Sequence, residues 1–353
     1  MTIDRKPTNS EVHMKSVVEF LCSDTCLPRI PGTPGGAAAH DFLVGQLTAL
    51  GLEPAGEARF DQPIPPINGT NLLARIPGRR DGVVLLAAHY DACGTDNPGA
   101  DDNAAAVAVV LSVAEQLAKQ ELDRSVVIAL FDAEEPPYFL SPAMGSQWFV
   151  DHPTVPIDSI DTMICLDLVG HALGPNGMPA PVRDSVFVLG AEKSTGTAAL
   201  LDGLPPVAGI APRRIDNYII DSMSDYDAFM NAGVPFLFYT MGRSEHYHAP
   251  TDTPDRLDYD KMAAFATHLT DLVIALANRT DTPVFLPAGF DDAATVDTIR
   301  ELLDALVLYA PEAEMAQPIV DGLEQQLKAD GTLTNAERQM IAMLVIQLES
   351  NLA

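Results

Sequence analysis

From residue 72 onward the chain alternates short, unbroken apolar runs with stretches of helical periodicity, and this alternation narrows the fold more than any other feature. The runs Val83–Ala88, Val126–Phe131, Met163–Leu166, Val186–Leu189 and Pro235–Thr240 lack the strict in–out pattern of a half-exposed strand. Continuous runs of this length suit strands covered on both faces. Between the first two, Val107, Val110, Leu111, Ala114 and Leu117 recur at helical spacing from Ala104 to Lys119. Strands interleaved with helices predict an α/β three-layer sandwich: a mixed, mostly parallel central sheet with helices on both faces.

The flanks read as helix. Val17, Val18, Phe20 and Leu21 form one apolar face, and Ala39, Phe42, Leu43, Leu47 and Leu50 form another. Between them Arg29-Ile30-Pro31-Gly32-Thr33-Pro34-Gly35-Gly36 is a rigid turn feeding a helix start, and Gly51 ends the second helix. Asp281-Thr282-Pro283 and Pro287-Ala288-Gly289 read as a linker. Beyond it Ile299, Leu302, Leu303, Leu306 and Tyr309 keep helical spacing, and Thr334-Asn335-Ala336-Glu337 is a capping box opening a last helix. The expected division is a main domain over 1–283 and a C-terminal helical extension over 284–353, which suits 353 residues at about 150 per domain. The extension reads as a stabilising bundle, a homo-oligomer surface, or a partial cover for a cleft.

Composition limits the partners. Apolar residues make up 47% and charged residues 20%, which is a folded chain. The net charge of −28 argues against nucleic acid or an anionic membrane as a partner held by bulk charge. The longest mostly apolar uncharged stretch, Ala104–Ala114, is too short to span a bilayer. Met1-Thr2-Ile3-Asp4-Arg5-Lys6 opens no signal-peptide core, so a cytoplasmic location is the expectation. Four cysteines do not make a disulfide scaffold.

Ligands of open α/β sheets gather at the carboxyl ends of the strands. Val83–Ala88 ends in His89-Tyr90-Asp91, Val126–Phe131 in Asp132-Ala133-Glu134-Glu135, and Met163–Leu166 in Asp167. Pro235–Thr240 leads into Glu245-His246-Tyr247-His248, and the helix at Ala104 follows Gly99-Ala100-Asp101-Asp102-Asn103. Singly each cluster has an ordinary reading: a helix cap for Asp101 or Asp102, a turn residue for Asp91, a solvated loop for the glutamates. Together, like charges converging on one sheet edge repel unless cations sit between them. Two divalent ions, two neutral imidazoles, three carboxylates and one hydroxide sum to zero charge. Imidazole nitrogen with carboxylate oxygen suits zinc, and no cysteine is needed. Metals about 3.5–4 Å apart are a recurrent hydrolytic device.

These residues resemble the zinc exopeptidases of peptidase family 28, which includes aminopeptidases and, more distantly, glutaminyl cyclase. The matching elements are His89-Tyr90-Asp91, Pro98–Asn103, Glu134-Glu135, Leu166–Gly170, Ser224–Phe229 and Tyr247–Thr253, with Pro31–Gly35 upstream. They cover about residues 15–278. The resemblance implies that His89 and Asp167 bind one zinc, Glu135 and His248 the other, and that Asp102 bridges both. Asp91 would hold the His89 ring. Glu134 would be the general base toward a metal-bridging water. Asp225, Tyr226 and Tyr247 would contact a peptide substrate. The implied function is a zinc-dependent aminopeptidase with two zinc ions per chain.

Two features stand apart from the compact members of that family. The segment Pro136–Met144 is long and carries Tyr138 and Phe139, which suits a pocket wall, and the helical extension lies outside the shared domain. The rival readings are a glutaminyl-cyclase-like acyltransferase with a single zinc and a non-catalytic binding protein on the same fold. The number of bound metal ions separates the first rival. Retention of every ligand type and of Glu134 argues against the second.

Overall fold

The computed structural model describes residues 9–175, 177–220 and 222–352. Met1–Lys6, on which the expectation about export rests, lie outside the described residues. Among these residues nine strands form one mixed sheet. They are β1 Glu53–Pro54, β2 Asp61–Ile64, β3 Gly69–Ile76, β4 Val83–His89, β5 Ser125–Phe131, β6 Ile160–Leu166, β7 Ser185–Leu189, β8 Ala211–Arg214 and β9 Phe236–Thr240. Their spatial order is β1-β3-β5-β4-β6-β9-β7-β8, with β2 paired to β3. The central strands β5, β4, β6 and β9 run parallel, and antiparallel pairings flank them through β3 and β7.

All five strands expected from the sequence are present. The eight-residue β3 was not among them, because Thr70, Asn71 and Arg75 break its apolar run. Successive residues of the central strands serve opposite faces. Leu86, Ala88, Ile128, Leu130 and Ile164 enter one core cluster, and Leu85, Ala87, Val127, Ala129 and Met163 enter the other. Both faces are covered, which is why these runs are apolar throughout.

The helices divide between the faces. α1 Asn9–Leu21, α2 Pro34–Ala49, α3 Ala105–Leu117 and α8 Tyr259–Asn278 supply the first cluster. α2 starts as its sequence demands: the Thr33 hydroxyl accepts the Gly36 N–H at 3.1 Å and Pro34 takes the first helical position. A Cβ at Gly35 would lie 2.4 Å from the Cys26 carbonyl oxygen, so the close approach requires glycine. On the second face lie the short helices α4 Gly145–Asp151, α5 Ala180–Arg183 and α7 Tyr226–Asn231. α6 Thr197–Asp202 packs against the first cluster.

The last helices are α9 Asp292–Leu306, α10 Pro311–Asp330 and α11 Asn335–Leu352. α9 buries Val296, Ile299 and Leu303 in the same cluster as Leu85 and Phe131 of the sheet. Each such side chain contributes roughly 1.5–3 kcal/mol by burial. No helix of the described residues is long and apolar enough to cross a membrane.

Candidate metal centre

Parallel register brings the strand ends together. His89 ends β4 opposite Phe131 at the end of β5, and Ala87 pairs with Cys165, so Asp167 follows β6 at the level of His89. The chain leaves β5 through Asp132 and Ala133 into Glu134 and Glu135, and leaves β9 toward His248. Asp102 sits in the wide turn Ala100–Ala104 ahead of α3, off helical geometry at φ −113° and ψ 81°. Ala133, Leu168 and His248 adopt left-handed backbone at φ 59°, 55° and 54°. Each is a non-glycine strain of about 1–3 kcal/mol, and such strain collects where side chains must be aimed. At Gly99, φ 60°, a Cβ would lie 2.3 Å from the Asp102 carbonyl oxygen, so glycine lets this turn close.

Asp102 stands between two imidazoles. Its Oδ1 lies 3.3 Å from His89 Nε2 and its Oδ2 lies 3.1 Å from His248 Nε2. His89 Nε2 also faces Asp167 Oδ1 at 3.6 Å and Glu134 Oε2 at 3.8 Å. His248 Nε2 faces Glu135 Oε2 at 3.1 Å. Every residue expected as a metal ligand, and Glu134, is therefore in one cluster. Among the described residues, His89 Nε2, Asp102 Oδ2, Glu135 Oε1 and Asp167 Oδ1 are buried without a hydrogen-bond partner. Idle buried nitrogen and oxygen donors aimed at one another fit zinc. Donor atoms of His89, Asp102 and Glu135 all lie within 4.8 Å of one another. Cys93, which the sequence reading left out, forms a second such group with Glu135 and His248.

The electrostatics also call for cations. Burial would lower the His89 pKa, yet Glu134 and Asp167 push it well up. Burial likewise opposes the proton on His248, but the Asp102 and Glu135 carboxylates beside it raise its pKa to about 10. Burial and the nearby Asp102 charge push Glu135 up to about 7, and burial raises Glu134 well above the usual carboxylate range. Protons on the imidazoles thus supply the positive charge that metal ions would otherwise bring.

Other residues aim the donors. Asp91 Oδ1 lies 3.3 Å from His89 Nδ1, outside hydrogen-bond alignment. Its two oxygens also accept the backbone N–H groups of Glu134 and Glu135, each at 3.1 Å. Asp252 accepts the N–H of Asp101 at 2.8 Å and of Asp102 at 3.1 Å. The Asn103 amide donates to the Leu166 carbonyl at 2.9 Å, tying the turn to β6. The buried Arg29 guanidinium donates to the carbonyls of Tyr90, Leu21, Pro98 and Gly99 at 2.6–2.8 Å. Asp252 and Asn103 lie inside the motifs Tyr247–Thr253 and Pro98–Asn103, whose spacing does not show what either residue holds. Nothing in sequence marks Arg29, because its partners are main-chain atoms.

A cleft of about 600 Å³ opens over the cluster, lined by Asp102, Glu134, Glu135, Asp167 and His248. Pro136 and Phe139 of the long segment join its wall, and so do Ala342, Ile346 and Glu349 of α11. Tyr247 also lines it, stacked on the His248 ring at 3.8 Å between centroids. Two expected substrate contacts are corrected. Tyr226 is fully buried, with its ring stacked on Phe236 and Phe238 at 5.1 and 4.7 Å, and it packs the second core face. Asp225 is fully buried beneath the site, where burial pushes its carboxyl up to about 7, and it does not reach the cleft. Both lie in an element whose sequence matched the family but whose side chains point inward. Trp148 is half-buried and stacks on His152, and Phe149 is the buried ring of α4.

The model of peptidase family M28 matches residues 71–273. The uncharacterized protein YfbL of Escherichia coli is 32% identical over 215 residues, covering 53% of this chain and 65% of that one. A probable zinc metalloprotease of Pyrenophora tritici-repentis is 23% identical over 298 residues, covering 71% and 60%. The match thus spans less than two thirds of these relatives' lengths. Among solved structures, the Legionella pneumophila LapA aminopeptidase superposes with a TM-score of 0.62 at 15% identity, covering 77% of this chain and 73% of that one. The Bacteroides thetaiotaomicron glutaminyl cyclase superposes at 0.58 and 18% identity, covering 76% and 99%. Both are likenesses of fold.

Proposed function

The chain belongs to peptidase family M28, and on that premise we propose that it is a zinc-dependent aminopeptidase, hydrolysing N-terminal residues from peptides with two zinc ions per chain. One observation carries the reading: the two oxygens of Asp102 face two different imidazoles, His89 and His248. A carboxylate so placed suits a bridge between two cations. In this reading His89 and Asp167 would hold one ion, Glu135 and His248 would hold the other, and Asp102 would serve both. Zinc, when bound, supplies Lewis acidity and water acidified toward neutrality.

The chain's own residues do the rest. Glu134 Oε2 stands 3.8 Å from His89 Nε2, beside the donors and lining the cleft. From there it takes a proton from the attacking water and delivers it to the leaving amine nitrogen. Asp91 fixes the adjacent glutamates through their backbone N–H groups, so that one side chain faces the donors while its neighbour stays free to carry the proton. The pocket's acidic character also suits a free α-amino group, which supports attack at the N-terminus.

The fold does not separate hydrolysis from glutaminyl cyclisation, since an aminopeptidase and a cyclase both superpose on it. The two-sided donor set favours hydrolysis. Metal analysis of purified protein, with a panel of aminoacyl arylamides and a peptide bearing N-terminal glutamine, tests this. Two zinc ions and arylamide hydrolysis are expected; one zinc with cyclisation alone would overturn it. Glu134→Gln should retain zinc and lose turnover by about 10²–10⁴-fold.

A further inference from the structure

Arg243 lines the same cleft as Asp102, Glu134 and His248. Its guanidinium carbon stands 5.3 Å from the Tyr247 ring centroid, and that ring stacks on His248. The cation is therefore one aromatic ring away from an imidazole of the metal centre. Among the described residues its Nη2 meets only the Met223 sulfur, at 3.5 Å, and its buried Nε has no hydrogen-bond partner. The Glu349 carboxylate accepts the Arg243 backbone N–H at 3.2 Å. Among the described residues the Arg243 guanidinium forms no ion pair, unlike the guanidinium groups of Arg124, Arg214 and Arg338.

A buried guanidinium Nε with no partner is a donor left for a ligand to complete. The stacked ring holds it in place beforehand, which lowers the cost of ordering it around a ligand. Guanidinium takes a carboxylate through two parallel hydrogen bonds, a match that an ammonium group does not reproduce. The carboxylate that every unblocked peptide carries is its C-terminus.

We propose that Arg243 receives the substrate's C-terminal carboxylate, so that the protein acts on peptides of two or three residues with a free C-terminus. This rests on the aminopeptidase reading and narrows it. An extended peptide advances about 3.3–3.6 Å per residue, so a carboxylate one or two residues past the scissile bond spans the width of an aromatic ring. A cleft of about 600 Å³ is of small-molecule size. Ile346 and Glu349 of α11 line the same cleft.

Zinc-loaded Glu134→Gln protein is titrated calorimetrically with dialanine and with dialanine amide. The free acid should bind at least about tenfold more tightly, the scale of a charge-assisted pair. Adding Arg243→Gln should bring the ratio to about one, and Arg243→Lys should leave it between. In protein with Glu134 intact, kcat/KM for dialanine should exceed that for pentaalanine by at least about tenfold. Equal binding of acid and amide, or an acid preference that survives Arg243→Gln, overturns the carboxylate site. Equal turnover of both lengths overturns the size limit. Hydrolysis of alanyl arylamide, which has no carboxylate, tests the aminopeptidase reading separately. If that hydrolysis is absent while the acid preference persists, the reaction falls and the carboxylate site stands.

Discussion

Replacing Arg29 with methionine should loosen the metal-bearing turns from behind. The guanidinium is fully buried, and its Nε, Nη1 and Nη2 donate to the carbonyls of Tyr90, Leu21, Pro98 and Gly99. Tyr90 follows His89, and Gly99 opens the turn that carries Asp102. Methionine keeps much of the apolar stem and removes every donor. All four carbonyls lose this donor, but the Gly99 carbonyl still accepts from the Ala104 N–H at 3.1 Å, so three are left short. Each buried acceptor left short costs about 1–3 kcal/mol. Relief of a buried charge offsets several kcal/mol of that sum. Three such acceptors cost about 3–9 kcal/mol, and after that offset a net loss of a few kcal/mol is expected. Urea unfolding of chelator-treated protein reads it without a contribution from bound zinc. Zinc affinity should fall by about 10–100-fold, as when a ligand's support is removed. Arg29→Lys should lie between the two, since one ammonium cannot reach all four carbonyls. A loss below about 1 kcal/mol with unchanged zinc affinity would refute the idea that this cation clamps the turns.

His268 is buried against Tyr239, its Nε2 3.2 Å from the hydroxyl, and burial lowers its pKa to about 4. The unfolded chain takes up that proton near pH 6.5, so this group's contribution is whole above that pH and is lost as pH falls through about 4. Up to roughly 3 kcal/mol is at stake. His268→Phe should flatten the difference between unfolding free energies at pH 7 and pH 5, and an unchanged difference would count against it. In the metal-free protein both His89 and His248 hold their protons at neutral pH. Zinc uptake at pH 7 should therefore release protons, visible as a binding enthalpy that follows the buffer's ionisation enthalpy. Asp102→Ala should abolish binding of both ions by metal analysis, and retention of one ion at full affinity would argue against a bridging carboxylate.

Much of the centre is legible before folding. His89, Glu134, Glu135 and Asp167 lie within four residues of the ends of apolar runs, and a parallel sheet sends such ends to one edge. His248 and Asp102 are readable because local motifs surround them. Asp225 and Tyr226 were misread for a reason the sequence does not carry. A short helix can turn matching residues toward the core as readily as toward a cleft, and only the stacking on Phe236 and Phe238 decides which. β3 was missed because its polar residues interrupt the apolar run that marked the other strands.

The order of apolar runs and helices determined an α/β sandwich, because burial on both faces leaves a periodic trace in the chain itself. The residue types at the strand ends likewise determined a site rich in imidazole and carboxylate. Tertiary structure alone decided how those groups meet: which oxygen of Asp102 faces which imidazole, that Cys93 stands beside Glu135, and that Arg29 grips four carbonyls. It also decided that α11 walls the cleft and that Arg243 stands unpaired within it. Distances between residues far apart in sequence depend on loop closure and packing, which no local pattern encodes.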